Sequence, residues 1–183
     1  MTRIAIFSNS PGEISHWVRP ICEEFSIQYP TWDLDIYLTP CQYSTGNEAD
    51  QAVLFPSVSR VIPPKRTIQY IMTPCRWITD KASYQAVLFL GGDPFYAKRF
   101  AKKNKIPLFG YAERNLKGPF KTLYTKQSDG DLMLSAVKLA LAKQRSREPI
   151  VQPPYCLFLA GSRPQHFKNL VPLYQETVRY IQQ

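Results

Sequence analysis

No apolar run in this chain reaches the roughly 18 residues needed to span a bilayer as a helix, so no transmembrane segment is expected. The opening stretch, MTRIAIFSNS, has too short an apolar segment for a secretory signal and fits a first strand instead. There is no Cys-x-x-Cys pair. Cys22, Cys41, Cys75 and Cys156 are scattered, and without a secretory signal they read as reduced thiols of a cytoplasmic protein. With only two histidines, His16 and His166, far apart in sequence, a zinc site has little support, and no metal is expected. Neither histidine has a local context tying it to a cysteine, which argues against a Cys-His hydrolase. G-x-G-x-x-G and Walker A patterns are both missing, which argues against a standard dinucleotide or P-loop site, and no cofactor is expected. Acidic residues are scarce: 14 Asp and Glu against 23 Lys and Arg leave a net charge of +9. Such a surface suits nucleic acid, anionic lipid headgroups or phosphorylated small molecules, or is simply solvated. An RNP-type aromatic signature and a helix-turn-helix are also lacking, so nucleic acid is the least supported of these partners.

What is present is a core-forming composition, 44% apolar and 20% charged over 183 residues, enough for one ordinary domain or one domain plus a piece of another. Strands are expected at 3–8, 32–39, 59–64, 84–92, 106–112, 120–125 and 155–161. Between them, helices are expected at 13–28, 44–54, 93–105, 128–143 and 166–182, while at 65–72 helix and strand compete with the helix favoured. Pro20 falls inside the first helix and should kink or divide it. YQAVLFLGG is continuously apolar from Ala86 to Leu90, the mark of a central strand covered on both faces. The helix SDGDLMLSAVKLALAK has so narrow a polar stripe that most of its circumference should be buried, and Ser128-x-x-Asp131 resembles a capping box at its start. Alternating strands and helices predict an α/β fold, a Rossmann-like parallel sheet flanked by helices. The polar, proline-containing stretch 143–154 is a candidate linker between residues 1–142 and 155–183. The latter buries too little to be a domain alone. Either it docks on the first domain or it begins a second one.

Ligands of open parallel sheets bind beyond the carboxyl ends of the strands, and three such ends stand out. In SNSPGE, Ser10 can cap a helix with Pro11 in its first turn and Glu13 closing a Ser-x-x-Glu box, while Gly12 admits a ligand to the free N–H groups. In LGGDPFY, Gly91 and Gly92 allow a tight turn and Asp93 is either a helix cap or a general base. In FLAGSRPQ, Gly161 permits close approach and Ser162 can cap. Arg163 is either a solvated arginine or, with the helix dipole, a diphosphate clamp.

In this order, the pieces resemble the lipid-A-disaccharide synthase family and, more broadly, GT-B glycosyltransferases using UDP-sugars and lipid-linked acceptors. Gly12-Glu13 stands where that family has a Ser-Gly-Asp-like element, Gly91-Gly92-Asp93 matches its Gly-x-Asp element, and LFLAGSRPQHFKNLVPLYQE matches the opening of its second domain. The resemblance implies an acceptor-side domain at 1–142 and, at 155–183, the start of a donor-binding domain. Members are about twice as long, so this chain alone should lack transferase activity. Asp93 would be the catalytic base, and Ser10, Gly12, Glu13, Gly92, Gly161, Ser162 and Arg163 would bind substrate. With an arginine and a helix N-terminus to offset charge on the leaving group, no metal is required. The basic segments Lys98 to Lys105 and Arg114 to Lys121 would rest on an anionic membrane surface, at about 1 kcal/mol per cation, or form a solvated face. The competing reading is a non-catalytic α/β module that binds a nucleotide, a lipid headgroup or a protein.

Overall fold

Side-chain parity along the first strand sets the architecture. In the computed structural model, which describes residues 2–73, 84–144, 156–159 and 164–182, β1 (Thr2–Ser8) sends Ile4 and Ile6 to one face and Ala5 and Phe7 to the other, all of them buried. A strand buried on both faces belongs inside a parallel sheet. β2 (Trp32–Leu38), β3 (Val58–Ile62), β4 (Tyr84–Phe89), β5 (Leu108–Ala112) and β6 (Thr122–Thr125) complete a six-stranded sheet of order β3-β2-β1-β4-β5-β6, with every pair parallel. The strand order reverses between β1 and β4, the switch point of a doubly wound fold. The α/β class and the parallel sheet expected from sequence are therefore observed.

The connections supply the covering helices. After β1 the chain runs through α1 (Pro11–Glu13), a π-helical turn (Ile14–Val18) and α2 (Arg19–Gln28) as one helical segment. Pro20 neither breaks nor divides it. The π turn, closed by the Arg19 N–H onto the Ile14 carbonyl, widens the helix just ahead of Pro20 and relieves the clash of its ring with the preceding turn. α3 (Glu48–Ala52) lies between β2 and β3, α4 (Pro64–Met72) follows β3, and α5 (Pro94–Asn104) joins β4 to β5. On one face, α4 and α5 lay Ile71, Ala97, Phe100 and Ala101 on Ala5, Phe7, Tyr37, Val87 and Phe89. On the other, the segment 11–28 and α3 place Ile14, Val18, Cys22 and Ala52 over Ile4, Ile6, Leu34 and Ile36.

Several expectations need correction. β4 is not covered equally on both faces, since Val87 and Phe89 are buried while Ala86 and Leu88 are only half-buried. After β6, the short α6 (Lys126–Asp129) is capped by the Thr125 hydroxyl, which accepts from the Ser128 N–H. Asp131, not Ser128, meets the N-terminus of α7 (Leu132–Gln144), accepting from the Met133 N–H. α7 is also not buried. Beyond Leu132, Ala136 alone among residues 133–142 escapes the exposed class, so its all-round apolar character is left largely uncovered.

By internal contacts the chain divides into Met1–Ala142 and Lys143–Gln183. In the second unit, residues 156–159 form no strand, where one was expected over 155–161, whose other residues lie outside the described ones. α8 (Pro164–Ile181) is amphipathic and carries Pro172 within it, and the Tyr174 hydroxyl donates to the Leu159 carbonyl.

Candidate functional site

The carboxyl ends of β1, β2 and β4 are sewn together by small polar groups. The buried Ser8 hydroxyl donates to the Leu90 carbonyl at 2.8 Å, the Thr39 N–H donates to the Ser8 carbonyl at 2.9 Å, and the Asn9 side-chain amide reaches the Pro40 carbonyl. Ser10 caps the first helix as expected from its pattern. Its hydroxyl accepts from the Glu13 N–H while Glu13 Oε2 accepts from the Ser10 and Asn9 N–H groups. Glu13 does more than close the box, because its other oxygen accepts from the Gly92 N–H at 3.3 Å, 79 residues away. This carboxylate ties the loop after β1 to the turn after β4. It also explains Gly91, which sits at φ +106° where a Cβ would lie 2.2 Å from the Glu13 carboxyl carbon.

Beside this staple, at the β1/β4 switch point, opens a cleft of about 490 Å3. Of the residues expected to form a site, Ser10, Gly12, Glu13 and Gly92 line it. Asp93 is not part of that lining, although its neighbours Gly92 and Pro94 are. It is exposed and caps α5, Oδ1 accepting from the Phe95 N–H at 2.9 Å. Gly161, Ser162 and Arg163 lie outside the described residues.

The cleft also holds residues that the pattern reading passed over: His16, Trp17, Glu113 and Arg114. His16 and Trp17 both stand on the π turn, His16 exposed and Trp17 half-buried. His16 Nδ1 lies 2.9 Å from the Gly12 carbonyl. A carbonyl only accepts, so Nδ1 carries the hydrogen, and in the neutral ring Nε2 keeps its lone pair. Trp17 packs edge-on against Tyr111 at 5.2 Å. The signal for this pair was Pro20, since a proline within a helix calls for a local adjustment such as a π turn. Among the described residues, no group of three or more His, Cys, Asp or Glu is placed to hold a metal ion.

A second polar cluster lies lower in the sheet. Asp35, wholly buried on β2, accepts from Arg60 Nη2 at 2.7 Å and from the Tyr84 hydroxyl at 2.5 Å, with Arg3 at 3.8 Å. Burial pushes the Tyr84 and Tyr37 phenols upward, and their hydroxyls lie 2.8 Å apart. The cluster is at the wrong end of the strands for a doubly wound ligand site and reads as structural.

The basic segments are less free than expected. Lys98 donates to the Lys117 carbonyl, Arg99 to the Ile71 carbonyl, and Lys103 to the Tyr70 and Thr73 carbonyls, closing the C-terminal end of α4.

A six-stranded parallel sheet flanked by helices, with a cleft at its switch point, defines an α/β fold that resembles half of a GT-B glycosyltransferase. No protein-family model and no curated protein matches the chain. Solved structures do. Escherichia coli heptosyltransferase WaaC with ADP-2-deoxy-2-fluoro heptose is 15% identical at a TM-score of 0.51, over 92% of this chain and 54% of that one. The glycosyltransferase GlyE of Streptococcus pneumoniae TIGR4 is 16% identical at 0.45, over 75% and 32%. This chain thus spans about a third to a half of the length of these structures. Among the described residues no helix is long and apolar enough to cross a membrane.

Proposed function

We propose that Met1–Ala142 is the acceptor-side half of a GT-B-type glycosyltransferase, moving a sugar from a nucleotide-sugar to a hydroxyl held in the β1/β4 cleft. The observation that carries this reading is the position of the cleft, where doubly wound sheets bind ligands. The likeness in fold to WaaC supports it. The sequence resemblance favours a UDP-sugar donor and a lipid-linked acceptor, and the sugar nucleotide bound to WaaC adds an ADP-sugar as the donor to compare. Residues 155–183 would begin the donor-binding domain, with Gly161, Ser162 and Arg163 near the diphosphate. Without the rest of that domain, the chain is expected to bind donor weakly and to turn nothing over. The exposed cations, Lys102 and Lys105 among them, would help hold an anionic lipid.

Two groups compete to take the acceptor proton. Asp93 stands at the cleft's edge with one carboxylate oxygen engaged by the Phe95 N–H. His16 lines the cleft with Nε2 unprotonated in its neutral form. In a chain completed by a donor domain, Asp93→Ala, His16→Ala and Arg163→Ala are each expected to lower kcat, by about 100-fold or more for the base. Unchanged turnover in all three rejects these roles. The rival reading, a non-catalytic binding module, is favoured if the 183-residue chain alone binds a free nucleotide tightly while the completed chain transfers no sugar from UDP- or ADP-sugars.

A further inference from the structure

Among the described residues, the face of the sheet beside α2 is left open over much of β4, β5 and β6, below the buried Leu90 and Tyr111. A groove of about 680 Å3 lies there, walled by Ile21, Phe25, Trp32, Leu88, Phe109 and Tyr124 among others. Sheets of this class are covered on both sides, so the groove calls for a cover that the described residues do not supply. It runs along β4 from Gln85 to Leu90, six residues or about 20 Å of strand.

At its upper end stands α7, a helix that is itself bare. Leu132 joins the core and its N–H donates to the Tyr111 hydroxyl, and Ser135 touches the groove. Past that first turn the apolar side chains face outward: Leu134 is 54% exposed and Leu141 58%, with Met133, Val137 and Leu139 also exposed. A helix apolar all round calls for protein on several sides. A membrane surface fits it poorly, because an interfacial helix needs a charged face, and between Leu132 and Ala142 the one charged residue is Lys138.

We propose that a second copy of this chain covers both surfaces at once, α7 of each copy lying in the groove of the other. The lengths agree, since a 13-residue helix spans about 20 Å. The surfaces are self-complementary, because a two-fold pair presents groove and helix on each partner and leaves neither uncovered. A foreign helix would fill the groove and leave α7 bare. Charge agrees as well, with Lys138 on the helix and Asp129 on the groove rim. A standard interface buries about 800 Å2 per partner, so a stable pair needs both helix-in-groove contacts to form together. This proposal is independent of the transferase reading.

The test is sedimentation equilibrium of the full 183-residue chain from about 1 to 100 µM. The expected result is a closed species of twice the 21.1 kDa chain mass. Leu134→Glu combined with Leu141→Glu alters exposed positions, so the far-ultraviolet dichroism should be unchanged while dimerisation weakens at least about 30-fold. Three results overturn the proposal: a monomer, or open-ended assemblies, across the whole range; a dimer as tight in the double variant as in the parent; or a monomer that instead co-sediments with vesicles of anionic and neutral phospholipid.

Discussion

The two faces of the sheet are finished to different degrees. Under α4 and α5, the Phe100 ring lies 5.0–5.4 Å from the rings of Phe7, Tyr37, Tyr70 and Tyr84, and no buried apolar group lacks a cover. Across the sheet, cover is partial: Leu90 and Tyr111 are buried at the carboxyl ends of β4 and β5, with Trp17 against Tyr111, while lower down the described residues leave β4 to β6 open. Phe109 on β5 faces the groove with Lys121 Nζ 5.6 Å from its ring centroid, and Leu88 on β4 is half-buried. The same strands thus have one side closed within the chain and one side that is not. Both sides are built from aromatic and branched residues, so the difference lies in what each connection supplies. Every strand from β3 to β4 is followed by a helix on the closed side, whereas β5 passes to β6 through a loop.

The sharpest contrast comes from deleting one benzyl group on each side. Phe100→Ala should cost about 3–5 kcal/mol, because four rings around a rigid core cannot collapse into the space. Phe109→Ala should cost about 1 kcal/mol in dilute protein, since its ring already faces a void. Urea denaturation of the two variants checks this, and equal losses would show that the open face is closed in solution. Next in size is Asp35→Ala, which removes the carboxylate shared by Arg60, Arg3 and Tyr84 beneath the closed face. A loss of about 3 kcal/mol is expected. Then comes Gly91→Ala at the cleft, where a Cβ would strike the Glu13 carboxyl and the backbone is left-handed. Breaking the Glu13 bond to Gly92 should cost about 1–3 kcal/mol. Thermal unfolding measures it, and an unchanged midpoint would mean the two loops are not joined.

How much of this was legible in the sequence follows from the range of each signal. Parity and apolar runs are local, and they located β1, β4, β5 and α5 to within a few residues, hence the fold class. Caps are local too, and Ser10 with Glu13 behaved as the Ser-x-x-Glu pattern implies. The second bond of Glu13, to Gly92, was invisible, as it depends on the register of two strands 79 residues apart. WDLDIYLT reads as a strand from its alternation of apolar and polar residues, which does not say where the polar side lies. Asp35 is buried, since Arg60 arrives from β3 to meet it. The period placed Trp17 on the apolar side of the first helix, but neither it nor His16 was tied to the cleft, because that depends on the turns after β4 and β5 meeting this helix in space. The narrow polar stripe of α7 led to an expectation of burial that the structure does not meet, since Met133, Leu134, Val137, Leu139 and Leu141 are exposed and a helix's own sequence cannot say whether a cover is present.

Acid offers the finest probe of the comparison, because carboxylates held down by their partners lie on both sides of it: Asp33 and Glu48 toward the β2–β3 edge, and Asp129 and Asp131 in surface turns at the groove rim, where solvent screening weakens their contribution. The Ser59 hydroxyl, and then Arg3, hold the Asp33 carboxyl below its ordinary value. For Glu48 at the start of α3, burial alone would raise the carboxyl. Bonds from the Thr45 and Glu48 N–H groups and the Ser44 and Thr45 hydroxyls outweigh it and bring the value down. A depressed folded value means that each group stabilises the native state above its unfolded pKa, about 3.9 for Asp and 4.3 for Glu. That contribution disappears as pH falls through the folded value. Between pH 7 and about 5 the amides of β3 and β5 should therefore exchange with unchanged relative protection. Below about pH 4, Val58–Ile62 should lose protection before Leu108–Ala112, even though β5 borders the open groove. Loss of β5 first would mean that the uncovered face, not the carboxylate-stapled edge, sets the acid limit of the fold.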